Sequence, residues 1–379
     1  IIGKFNLNRI FKDYCLFEIN IIIIGLIILI LLLKISVKPY IYRVNNKNLK
    51  IFLTFSIVFF LTLLSSIFFA NDVSASLDKF KYILFELLMI LFLFIAMAQF
   101  YNTDDVGIMI GKTFVFIGLF YFLLITFSVF ILDKTRGEIF YGGPNVTTRI
   151  LFFSAMCSLF LYNIYKNLIY SIFFLLMLFG IILVGSRSGI FSSFFCLLLI
   201  FCGSKRLSIK KIISYFKSKK KFVFIAICSI LLLFYYKHLY DIFYGRIIIL
   251  TFQKLYLSGR EEILNYSINA IFKKPIFGYG LVSGYGLREY SYPHNIFLEI
   301  ILYIGVLGVV YSAIIIFFSL FCFIKAKNTK YRCLSILPLY MLFVSFFSGG
   351  IYDFRYYFLW VIVVLFLLTR KQNVQLVNR

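Results

Sequence analysis

Residues 51–70 read IFLTFSIVFFLTLLSSIFFA, twenty consecutive positions without one charged side chain. An α-helix rises about 1.5 Å per residue, so such a run spans about 30 Å, the thickness of a bilayer's hydrocarbon core. Similar runs recur along the chain between charged or turn-rich breaks. Candidate spans lie at roughly 16–33, 51–70, 82–100, 113–132, 150–165, 168–185, 190–203, 222–237, 296–324, 333–347 and 356–369, about eleven in all. The 296–324 run is long and is expected to tilt or project beyond the bilayer. The composition agrees. Of 379 residues 62% are hydrophobic, 21% are aromatic and only 14% are charged, too few polar groups to cover a soluble globule. The expected fold class is therefore all-α, a polytopic integral membrane protein.

The charge then orients the chain. Lys and Arg number 39 against 15 Asp and Glu, a net charge of +24. Charge alone would suggest a nucleic-acid binder, but these residues sit in loops between spans, so no nucleic-acid partner is expected. Segments 34–50, 203–221 and 325–332 are basic and carry no acid, and by the positive-inside rule they face the cytoplasm together with the C-terminal tail. Segments 71–81, 133–149, 185–189, 237–295 and 348–355 then share the outer face. Eleven spans put residue 1 outside, so either a twelfth, N-terminal span is expected in the complete protein, or residues 1–18, with Lys4, Arg9 and Lys12, form a cytoplasmic segment and one span is miscounted. Three parts follow: N-terminal helices with short loops over 1–236, a long outer loop over 237–295, and C-terminal helices over 296–379. The seven cysteines show no CxxC spacing and read as small buried hydrophobes.

Transporters place ionisable groups inside the membrane, yet only Glu86 and Glu299 are clear intramembrane acids here, and four of the five prolines lie in loops. The polar residues of interest gather on the outer side. Arg136-Gly137 precedes Gly142-Gly143-Pro144-Asn145-Val146-Thr147-Thr148-Arg149. This is turn chemistry, and it can equally form the rim of a polar pocket through Asn145 or Arg149. Arg187 stands in Gly185-Ser186-Arg187-Ser188-Gly189 at a helix break. It can snorkel to the interface, or approach a phosphate in the space that the small neighbours leave.

The outer loop carries Ser258-Gly259-Arg260-Glu261, a capping box that opens a helix with Leu264, Ile268, Ile271 and Phe272 at helical spacing. Lys273, Lys274 and Pro275 close it, and it reads as an amphipathic helix on the outer membrane surface. Arg260 in its first turn either pairs with Glu261 or Glu262 or meets a bound anion. Gly278-Tyr279-Gly280 and Gly284-Tyr285-Gly286 lack the βαβ context of a dinucleotide loop and read as a flexible segment whose tyrosines can stack on sugars or anchor at the interface. Tyr292-Pro293-His294-Asn295 ends the loop. His294 suits a general base near neutral pH or a structural role, and no second His or Cys stands at metal-ligand spacing.

Gly-Ser-Arg-Ser-Gly at 185–189, the loop from Arg260 through Lys274-Pro275-Ile276-Phe277-Gly278-Tyr279-Gly280 to His294-Asn295, and the following IFLEIILYIGVLG together resemble the O-antigen ligase and O-antigen polymerase superfamily. The resemblance covers about residues 133–310. It implies a GT-C-like glycosyltransferase of the bacterial inner membrane, its active site facing the periplasm, that uses neither cofactor nor metal ion and inverts the anomeric centre. The implied donor is an undecaprenyl-pyrophosphate-linked glycan. The acceptor is a lipid A-core sugar for a ligase, or another lipid-linked repeat unit for a polymerase. On this reading Arg187 and Arg260 bind the pyrophosphate and His294 is the base. Arg136, Asn145, Arg149, Tyr279, Arg288, Tyr292 and Asn295 are candidates for acceptor or supporting contacts. Membrane lipids are the other expected partners. A glycolipid flippase is the competing reading.

Overall fold

The computed structural model describes residues 47–70, 72–100, 103–130, 143–202, 240, 244, 260–281 and 293–368. The expected spans at 16–33 and 222–237, the basic segment 203–221 and Ser258 of the capping box lie outside these residues, as does the Glu86 side chain.

Among the described residues every regular element is helical. The order is α1 (Lys47–Ser66, with a 3-10 turn at Ile67–Phe69), α2 (Val73–Phe100), α3 (Thr103–Phe130), α4 (Pro144–Tyr165), α5 (Leu168–Val184) and α6 (Arg187–Cys202). Then come α7 (Arg260–Lys273), α8 (Ile296–Ile304), α9 (Val306–Lys325), α10 (Arg332–Ser335), α11 (Leu337–Phe347), a 3-10 turn at Ile351–Asp353, and α12 (Phe354–Leu367). Four stretches of described residues are long and apolar enough to cross a membrane: Lys47–Phe69, Thr103–Val129, Pro144–Tyr165 and Val306–Lys325. Leu168–Val184, Arg187–Phe201 and Arg332–Phe347 are apolar but shorter.

Local signals set the reversals. Pro144 opens α4, where its missing N–H costs nothing. Lys166 ends α4 in the left-handed region, and Asn167 caps α5 by accepting from Ile169 N at 3.0 Å. Between α3 and α4, Ser154 Oγ donates across the interface to Phe114 O at 2.6 Å. The large aromatic content is spent on packing between helices. Phe152 of α4 stacks on Tyr340 of α11 at 4.0 Å, and Phe153 meets the edge of Trp360 of α12 at 5.4 Å. Phe52 of α1 joins Phe318 of α9 and Phe358 of α12, all buried. Such pairs add about 0.5–1.5 kcal/mol each beyond their buried area.

The described parts of the segments assigned to the two faces separate to opposite ends of the bundle. At one end, Lys330 pairs with Asp104 at 2.7 Å, Tyr331 donates to the same carboxylate, and Arg332 donates to Ile200 O at 3.2 Å. At the other end lie the starts of α2, α4 and α6, the 3-10 turn at 351–353, and α7.

Three expectations change. Helix α2 begins at Val73, so Lys79 and Lys81 ride on a helix and not in an outer loop. The 296–324 run is two helices broken at Gly305. That glycine has φ +59°, and a Cβ there would lie 2.1 Å from Ile276 O. The residues flanking Gly278 explain the break. Tyr279 N donates to Leu302 O at 2.7 Å, Gly280 N to Tyr303 O at 3.0 Å, and Ile276 O accepts from Val306 N at 3.3 Å. Helix α8 can stop because another segment satisfies its last carbonyls. For the same reason Gly278-Tyr279-Gly280 is a docked strap and not a flexible loop.

Candidate functional site

The turn after α11 gathers the polar residues. Phe347 O accepts from the Arg260 guanidinium. Ser348 Oγ accepts from Asn145 Nδ2, and Ser348 O accepts from Arg149 at 2.7 Å. Gly349 follows at φ +136°, with the Arg149 guanidinium 2.8 Å from where a Cβ would be. The strip Phe347-Ser348-Gly349 therefore joins two other outer segments, 133–149 and 237–295, by its main chain and one hydroxyl. Its sequence shows only a Ser-Gly-Gly at the end of an apolar run, an ordinary turn signal.

Asn145 bridges further. Its Oδ1 accepts from Ser186 Oγ and from Ser188 Oγ, the latter at 3.0 Å. Ser186 Oγ in turn accepts from Gly189 N at 3.2 Å, capping α6. Arg187 is the first residue of α6 and is half-buried. The space beside Gly189 is not left for the guanidinium: a Cβ there would lie 2.3 Å from Thr148 Cγ2, so α4 fills it. Arg149 is turned inward, 2% exposed, and pairs with Asp353 at 2.8 Å. Its part is support of the strip. Nothing near Arg149 in sequence marks Asp353 as its partner.

Arg260 opens α7. The face of α7 against the protein is small and narrow, Ile263, Ser267 and Ala270. Ile268 and Phe272, with Ile276 and Phe277 beyond, are exposed on the side away from it. This is the distribution expected of a helix at a membrane interface.

His294 sits between buried Pro293 and Asn295. Asn295 is the cap of α8: its Oδ1 accepts from Phe297 N at 3.0 Å and Leu298 N at 3.2 Å. His294 itself is held at φ +54°, a conformation rare outside glycine, though less so for His than for most residues. Burial, and then the Arg260 charge, lower the His294 pKa from its usual 6.5. The imidazole is thus neutral at pH 7 and able to accept a proton, with a guanidinium close enough to act on it. Tyr279 is half-buried, with Lys274 Nζ 4.8 Å from its ring centroid. Arg136, Arg288 and Tyr292 lie outside the described residues. Among the described residues no three His, Cys, Asp or Glu side chains gather as a metal site.

A neutral His294 thus lies within the field of Arg260, which reaches Phe347 O, and the segment that carries Arg187 reaches the same turn through Ser186, Asn145 and Ser348. Cations of this kind fit an anionic leaving group, and the base fits a hydroxyl nucleophile. Comparison with curated proteins gives no match. Residues 172–313, which contain Arg187, Arg260 and His294, match the family model described as O-antigen ligase. Over that segment the chain is similar to the O-antigen ligases, a similarity that implies glycosyltransferase-like activity on lipid-linked glycans.

Proposed function

We propose that the chain is a metal-independent, inverting O-antigen ligase-like glycosyltransferase. It moves a glycan from undecaprenyl pyrophosphate to a lipid A-core or related acceptor at the periplasmic face of the inner membrane. His294 takes the proton of the acceptor hydroxyl as that oxygen attacks the sugar C1. The bond from C1 to the pyrophosphate oxygen breaks, and the electron pair leaves with undecaprenyl pyrophosphate. Arg187 and Arg260 meet the charge left there, the fork of each guanidinium matching phosphate oxygens. Hydrogen bonds to charged groups contribute about 1.5–3 kcal/mol each, so two arginines can hold the headgroup. Attack opposite the leaving group inverts the anomeric carbon.

The observation that carries this reading is the coupling of Arg260 and His294. A base beside a cation stays unprotonated at neutral pH, and on this reading the same cation meets the anionic leaving group. The test is transfer in proteoliposomes from purified lipid-linked glycan to a defined acceptor. His294→Ala should insert normally and lose transfer by about 10²–10⁴-fold, the usual contribution of a general base. Transfer at the parent rate in that variant refutes the assignment. Glycan analysis of a deletion strain separates the two family activities. Polymer left on undecaprenyl pyrophosphate marks a ligase, and single repeat units on the lipid core mark a polymerase.

A further inference from the structure

The strongest feature outside the proposed chemistry is a buried polar cluster around Glu299, five residues beyond His294 on α8. Glu299 is 1% exposed, and both its carboxylate oxygens are engaged. Oε2 accepts from Ile351 N at 2.8 Å, the first residue of the 351–353 turn. Oε1 accepts from the Tyr303 hydroxyl one turn along α8, and from Lys79 of α2 at 3.4 Å. Lys79 also donates to Tyr303, and its ammonium lies 5.4 Å from the Tyr352 ring centroid. Three elements thus meet at one carboxylate. The 351–353 turn carries Asp353, which holds Arg149, which holds Ser348. Helix α8 begins directly after His294.

We propose that Glu299 is a positioning residue. It ties the helix that presents His294 to the turn that carries Asp353, and so fixes the histidine relative to the Phe347-Ser348-Gly349 strip. The inference rests on the reading of His294 as the base. A buried ion pair is a poor way to gain stability, since an apolar pair of similar volume is often as good or better. What an apolar pair lacks is the bond to Ile351 N, which sets the turn against α8 by its main chain. Placement at this level matters to rate, because a misplacement of about 1 Å costs about 10²-fold.

The test compares two charge-free pairs in proteoliposomes with purified undecaprenyl-pyrophosphate-linked glycan as donor. Glu299→Gln/Lys79→Met keeps a carbonyl oxygen for Ile351 N. Glu299→Leu/Lys79→Met keeps the packing but loses that acceptor. The Gln pair should retain kcat within about tenfold, and the Leu pair should fall about 10²-fold with donor KM unchanged. Equal kcat in the two pairs overturns the proposal. If the Leu pair does not insert, the Gln pair decides alone: kcat within tenfold supports positioning, and a larger loss overturns it. A parallel His294→Ala separates the two ideas. Parent-level transfer there removes the base reading itself, whereas loss of transfer there with equal Gln and Leu pairs removes only the role of Glu299.

Discussion

Replacing Asp353 with Ala should cost about 3 kcal/mol of stability. Arg149 is 2% exposed, and its Nη1 lies 2.8 Å from Asp353 Oδ1. Two charges about 4 Å apart interact by about 4 kcal/mol at an effective dielectric constant of about 20. Removing one partner of a buried pair typically costs roughly 3–5 kcal/mol, because the other charge stays buried and uncompensated. Asp353 keeps 18% exposure, so water screens part of this and the lower end applies. The bond from Arg149 to Ser348 O survives the change and limits the loss. Equilibrium unfolding in mixed micelles reads the effect. The single Trp, Trp360, is fully buried and packs on Phe153, one turn after Arg149, so its fluorescence follows the region concerned. Arg149→Met/Asp353→Ala removes the orphaned charge and loses mainly the Ser348 bond, about 1.5–3 kcal/mol for a charged donor. The double variant should therefore be no less stable than Asp353→Ala alone. A cost below about 1 kcal/mol for Asp353→Ala, or a double variant clearly worse than the single, refutes the reasoning.

Three further outcomes are expected. Burial and Arg260 both disfavour the imidazolium, so His294 loses its base form only as pH falls through a value below 6.5. Arg260→Gln should move the acid limb of the kcat/KM profile to higher pH, and an unmoved limb argues against the coupling. Arg260→Lys keeps the charge but loses the fork that reaches Phe347 O and is proposed to meet a phosphate, so donor-dependent transfer should fall by about tenfold or more, read as initial rates. Gly305→Val demands a Cβ 2.1 Å from Ile276 O at φ +59°, so the strap over α8 must detach. Limited proteolysis should then cut between 274 and 281, where the parent resists.

The charge pattern carried much of the fold. Acid-free 325–332 does meet Asp104 and Ile200 at one end of the bundle, and the start of α4, the 185–189 turn and the 348–355 segment meet at the other. The break at Gly305 was invisible to hydropathy because IFLEIILYIGVLG is apolar throughout. What stops α8 is a donor from residue 279, a tertiary partner that no local window contains. The candidate site was legible where chemistry is local. His294, Arg187 and Arg260 stand out by residue type beside turns and helix starts. Their scaffold was not, because Asn145 finds Ser348, and Arg149 finds Asp353, about two hundred positions away. Asn295 enters as a candidate acceptor or supporting contact through the resemblance, and its oxygen serves the helix it begins. Glu299 was noticed as an acid in the membrane, while Lys79, which compensates it, read as a loop residue.

Arg260 and Arg149 grip carbonyls of the main chain, at Phe347 and Ser348, and not side chains. Every amino acid supplies such a carbonyl. Position 347, whose ring is 55% exposed, is thereby released from the site it anchors and can drift with whatever lipid or acceptor lies against it. Position 349 has no such freedom, because a side chain there would enter the Arg149 guanidinium. Saturation mutagenesis should show the two neighbours as opposites: near-complete tolerance at 347, glycine alone at 349.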